Sequence, residues 1–252
     1  RFYIGSNPYS SSRYGTFIQS AGTVEMKSAA GLVIGAASGP LNANSLYQYQ
    51  LSGGTLDLEK ITFGAAANLG TNLNALKISG GSLNLGSGGL VKGAAPAATY
   101  LVQLSGGSLV AKSDWASDLN MTVTNTPGPG LVTFHAEDTD GAPHDVVLSG
   151  VMRGNGSLLK TGAGALLVNG TNTYTGATTV SHGTLGGTGS LAGTVTVAAD
   201  AIVSAGTTNG VGTLSVTNLV LREGAICEWN YGLTRQDVVN VSGNITLQPM
   251  QS

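Results

Sequence analysis

The side chains able to do chemistry are few and widely spaced. The three histidines are His135, His144 and His182, and none has a partner at a metal-ligand spacing such as H-x-x-x-H. Cys227 is the single cysteine; a catalytic thiol needs a histidine beside it, and none is near in sequence. Glu137, Asp138, Asp140 and Asp145 form a small acidic group, and Asp138-Thr139-Asp140-Gly141 opens like a calcium loop. Position 142 is Ala, however, and the twelfth position is Ser149, so the carboxylate count falls short of an EF-hand and the group reads as a solvated loop. Gly162-Ala163-Gly164 and Gly187-Thr188-Gly189 open no helix, and no G-x-x-x-x-G-K-[ST] is present, so they read as turns. Glycoside cleavage needs two placed carboxylates. Asp114 and Asp118 are the best pair for it, and Asp57, Glu59 and Lys60 stand adjacent in one place only. Tyr47, Trp115, Trp229 and Tyr231 are the aromatics able to stack on a sugar, with core packing the competing role.

Elements that could position such groups follow from composition. The chain has 252 residues, among them 39 glycines and 51 serines and threonines, while charged residues are 10% and aromatics 6%. Coiled coils and bundles need far more Glu, Lys and Arg, and collagen needs Gly at every third position. A formal net charge of −2 and a pI near 5.9 give no basic footprint for nucleic acid. No apolar run approaches the length of a membrane-spanning helix. One cysteine rules out an internal disulfide framework.

Repeats dominate the first 112 residues. A short apolar run closed by glycine recurs as Phe2-Tyr3-Ile4-Gly5, Leu32-Val33-Ile34-Gly35, Ile61-Thr62-Phe63-Gly64 and Leu90-Val91-Lys92-Gly93. Each run is followed by strand, small-residue turn and strand: Phe17 to Val24, Tyr49 to Leu56, Leu76 to Leu83 and Leu101 to Leu109. Apolar residues alternate with polar ones on both sides of the turn, the period of a strand with one buried face. Gly54, Gly81 and Gly107 fall at equivalent places between the strands and are expected at corners with positive φ. A unit of about 29 residues cannot bury its own apolar face, so neighbours must stack. About ten coils at roughly 4.8 Å each make a rod near 50 Å long.

Residues 145–185 read DVVLSGVMRGNGSLLKTGAGALLVNGTNTYTGATTVSHGTL. The segment resembles the autotransporter-associated β-strand repeat of bacterial passenger domains and large surface or secreted proteins. Gly154, Gly156, Ser157, Leu158, Lys160, Gly162, Gly164, Leu166, Gly170, Asn172, Tyr174, Gly176, Thr178, Val180, Gly183 and Leu185 fill the pattern, with Val168 in place of its usual Leu. The first half, and the stretches Ala225–Trp229 and Asp237–Ile245, are similar to the coils that accompany this repeat. Among these residues Gly154, Gly162, Gly164, Asn172, Tyr174, Gly176 and Gly183 are assigned turn and packing roles. Asn172 bonds its own backbone, and Tyr174 packs at a corner with its hydroxyl towards water.

The expectation is an all-β, right-handed parallel β-helix in one elongated domain. Residues 1–112 form coils, 113–144 an irregular coil or loop insertion, and 145–252 further coils including the repeat. The chain reads as an excerpt of a longer protein, because an export signal, an outer-membrane barrel and polar caps at either end are missing from it. The function expected is a non-enzymatic structural or adhesive rod at the surface of a diderm bacterium or outside it. A glycan-binding module and a polysaccharide lyase or hydrolase are the alternatives. No cofactor or metal is expected. Further coils of the same chain or identical subunits end to end are the expected partners, with surface glycans or other cells as targets and no nucleic acid.

Overall fold

The computed structural model describes residues 2–4, 14–35, 45–64, 73–93, 99–207, 210–232 and 236–248. Gly5, the first of the closing glycines, lies outside them, as do most of the terminal residues expected to lack caps. The chain is all-β: the described residues form strands and turns and no helix. Strand pairing is parallel throughout, and the antiparallel contacts are isolated bridges such as Gly187 with Gly206.

The sequence repeats coincide with this pairing. Leu32 pairs with Phe2 and Ile61, and Ile61 with Leu90, so the apolar runs lie on one another. Thr55 likewise pairs with Thr23 and Ser82, and Ser82 with Ser108. Period two does the rest: Tyr49, Leu51, Leu56 and Leu58 point inward and are fully buried, while Gln50 and Asp57 between them keep partial contact with solvent.

One position, buried from Leu56 to Val197, can be followed through the stack. Val24, Leu56, Leu83, Leu109, Phe134, Lys160, Val180, Val197, Leu221 and Leu247 are successive register partners. The column fixes where the core sits. It is a narrow apolar strip between strands rather than a globular centre, and each coil depends on its neighbours for burial. A second, six-stranded sheet forms another face, running from Trp115–Ser117 through Val146–Leu148, Ala165–Val168, Thr184–Gly186 and Ile202–Ser204 to Ile226–Glu228.

Residues 113–144 differ from expectation. They hold three strands in register with the coils beside them: Trp115 pairs with Val146 on one side, while Met121 pairs with both Val102 and Met152, and Phe134 with both Leu109 and Lys160. Trp115–Ser117 takes the place of the apolar-glycine run, and Ser117 Oγ donates to the Leu90 carbonyl at 2.9 Å. The strands are joined by residues 118–120 and by the longer turns 124–130 and 136–145.

Candidate functional site

The groups with chemical potential gather at one corner, the turn Thr161–Ala165 and its neighbours. Leu158 and Lys160 alternate with Leu159 on the strand Ser157–Thr161, so period two directs both inward. Lys160 is completely buried in the column described above. An ammonium has three donors and no acceptor. All three are used: Nζ donates to the carbonyls of Thr161 at 2.9 Å, Gly162 at 2.7 Å and His182 at 3.0 Å. The outer side of the same turn is held by carboxylates. Glu137 accepts from the Ala163 amide at 2.9 Å, and Asp145 from the Ala165 amide at 3.0 Å. The turn therefore shows its carbonyls to a cation inside and its amides to anions outside. Burial depresses the Lys160 ammonium from its ordinary 10.5 to about 8, with the charges of Asp145 and Glu137 partly opposing.

One coil on, Tyr174 and Asn172 do comparable work. Tyr174 is fully buried, and its hydroxyl meets Thr178 Oγ1 at 2.5 Å. The expectation of a hydroxyl turned to water is thus corrected: Thr178 replaces an aliphatic residue at an inward position between Leu158 and Val195 and supplies the partner. Burial pushes the phenol well above its ordinary range, despite the hydrogen bond. Asn172 also points inward. Its Nδ2 donates to the Gly170 carbonyl at 2.9 Å, and its Oδ1 accepts from the Met152 amide of the previous coil at 2.8 Å, so it joins two coils as well as its own turn.

The glycines of the corners serve in two ways. Gly54, Gly81 and Gly107 have φ of 77°, 74° and 77°, and Gly154, Gly162 and Gly183 are also at positive φ. Gly164 and Gly176 are not in that set; a Cβ there would stand 2.2 Å from the His144 carbonyl oxygen and 2.0 Å from that of Gly156. Close stacking, not dihedral freedom, selects glycine at these two.

The remaining candidates are dispersed. His135 Nδ1 is 2.8 Å from Thr161 Oγ1, its cross-strand partner. His182 Nδ1 is 3.3 Å from Ser181 Oγ. His144 lies between Asp114 at 3.5 Å and Asp138 at 3.3 Å. Asp138 also accepts the amides of Ala142 and Asp140, and these bonds, the Ala142 amide foremost, hold its carboxyl below the usual range. The acidic group is a set of turn caps. Asp114 and Asp118 are both exposed, one before and one after the strand Trp115–Ser117. Asp57 and Glu59 are joined by Lys112 at 2.6 and 3.4 Å, and Lys60 is not part of the cluster. Burial alone would lower the Lys112 ammonium, but Asp57 and then Glu59 outweigh it and hold it above its ordinary value. Cys227 is half-buried, which pushes its thiol up. Tyr47 and Trp115 are core residues, whereas Trp229 and Tyr231 are exposed. Among the described residues no three His, Cys, Asp or Glu side chains are grouped to hold a metal ion.

The corner with Lys160, Asn172 and Tyr174 coincides with a match to a known family. Residues 158–186 match the model of the passenger-associated-transport-repeat family. The chain carries a passenger-associated-transport repeat. That is consistent with a repeat protein of the autotransporter passenger type. No curated protein and no solved structure matches the chain. The passenger-associated-transport repeat is thus, in this chain, about one and a half coils in which four inward polar side chains are satisfied, Lys160 and Asn172 by backbone and Tyr174 and Thr178 by each other.

Proposed function

We propose that the chain is a right-handed parallel β-helix acting as a non-enzymatic structural or adhesive rod of an autotransporter-like surface or secreted protein. The observation that carries this reading is the column of register partners from Val24 to Leu247, one residue per coil over ten coils and buried from Leu56 to Val197, on a chain that contains a passenger-associated-transport repeat. Hydrogen bonds along the stack axis stiffen such a rod, and it needs neither cofactor nor charged cleft. Its partners in this reading are further coils of the same chain or identical subunits end to end; the exposed Ile245 and Leu247 supply apolar surface for that stacking. Surface glycans or other cells are its targets.

Location on the cell exterior is the part of the proposal most open to test. Antibodies raised against this segment are expected to label intact diderm cells expressing the parent protein. Labelling that appears only after the envelope is permeabilised contradicts the proposal.

A further inference from the structure

The outer face of the six-stranded sheet carries a recess of about 110 Å³, large enough for part of a single ring and too small for a chain. Its floor is Ala165, Leu167 and Gly186, and its polar groups are Thr184, Ser204, Thr207, Glu228 and Asn230. These come from four adjacent strands and from Thr207 and Asn230 beyond their ends, and backbone and side-chain bonds hold the described residues on both sides. On one side Gly187 and Gly206 exchange amide–carbonyl bonds at 2.7 and 2.8 Å, which folds the chain around Thr207 over the sheet. On the other side Asp237, only 2% exposed, accepts from the Asn230 amide at 2.8 Å, from Asn230 Nδ2 at 3.0 Å and from the Gly212 amide at 2.8 Å. With Nδ2 turned to Asp237, the Asn230 side chain offers the recess its oxygen.

We infer that this recess is a sugar-binding site that takes one neutral or amino-sugar ring of a glycan. The lining is rich in acceptors: a carboxylate, an amide oxygen and three hydroxyls, which accept as well as donate. A matching ligand must bring several O–H or N–H donors around a compact frame and lay an apolar face on Ala165, Leu167 and Gly186. A pyranose has that division between hydroxyl rim and C–H face. The one formal charge among the described lining residues is Glu228, which favours an amino group and opposes a uronic acid. An apolar floor with a few convergent polar groups is the usual form of a small-molecule site. The inference rests on and deepens the adhesive reading, whose targets include surface glycans; its test reads this recess alone, so it can fail while the rod reading stands.

Titrating the ¹⁵N-labelled chain with the methyl glycosides of glucose, glucosamine, N-acetylglucosamine and glucuronic acid tests it. The expected result is a saturable shift of the Thr184, Gly186, Ser204 and Asn230 amides with at least one of the first three sugars and a weaker response to glucuronide. Glu228 is exposed, so Glu228→Ala should keep the melting curve while weakening binding at least tenfold; Glu223→Ala, an exposed carboxylate outside the recess, should bind as the parent does. No saturable shift with any of the four, shifts confined to another face, glucuronide binding as tightly as the others, or equal effects of the two substitutions would each overturn the assignment.

Discussion

Lys160 lies directly beside Phe134 on the neighbouring strand, and both side chains are completely buried. An ammonium thus occupies a place that eight other coils fill with Val or Leu. Its three carbonyl partners make this tolerable, but desolvation still has a cost.

That cost depends on pH. Folding lowers Lys160 from 10.5 to about 8, so between those values the unfolded chain holds the additional proton. Stability rises with pH wherever the unfolded state binds more protons. The Lys160 penalty is fully present below about pH 8 and fades as pH climbs to 10.5; its size is about 3 kcal/mol at roughly 1.4 kcal/mol per pH unit. Lys160→Met has no such dependence. Urea midpoints for parent and variant at pH 7 and pH 10 should show the parent gaining on the variant by about that amount. Parallel profiles would mean that Lys160 is not buried as a charge.

Tyr174→Phe removes the partner of the buried Thr178 hydroxyl and should cost about 1 kcal/mol. Thr178→Val in addition should recover part of the loss, because both polar groups are then gone. In the parent, phenolate absorbance from Tyr174 should appear only with alkaline unfolding. Titration of all eight tyrosines before unfolding would contradict its burial.

Three glycines separate backbone strain from steric closure. Gly22 is at φ 70° with open space where a Cβ would be, so Gly22→Ala should cost about 1 kcal/mol from the left-handed backbone alone. Gly81 has φ 74° and the Gly54 carbonyl oxygen 2.6 Å from a Cβ, so Gly81→Val adds overpacking and should cost roughly 3 kcal/mol. Gly176→Ala has closure without that strain, at 2.0 Å from the Gly156 oxygen, and should cost at least about 2 kcal/mol. Thermal melts of the three variants would rank them; a Gly22 effect as large as that of Gly81 would mean that coil stacking does not govern these corners.

Much of the stack is legible in sequence where the coils are of equal length. Leu32, Ile61 and Leu90 recur at 29-residue intervals and pair as that spacing implies. The column that starts at Val24 is less regular: its steps run from 32 residues between Val24 and Leu56 to 17 between Val180 and Val197, and fixed-period reading fails there. The three strands of residues 113–144 read as an insertion because Asp114, Trp115 and Asp118 stand where the apolar-glycine run was due. Lys160 was within reach: alternation puts it on the face of Leu158. The partner of Tyr174 was not, since three residues of turn lie between it and Thr178. The recess beside Glu228 is likewise invisible in sequence, because its lining is scattered from Ala165 to Asn230 and converges only through stacking.

Distance along the stack tests the account most directly. Ser82, Ser108, Thr133, Leu159, Thr179, Thr196, Val220 and Thr246 form one outward column of successive partners. In a Cys227→Ser background, spin labels at Ser82 and Thr196 are five coils apart, and labels at Ser82 and Thr246 seven. At roughly 4.8 Å per coil the two separations are about 24 and 34 Å. Pulsed dipolar spectroscopy should give two narrow distributions that differ by about 10 Å. Broad distributions, or two separations that fail to increase with the number of coils, would contradict a continuous stack.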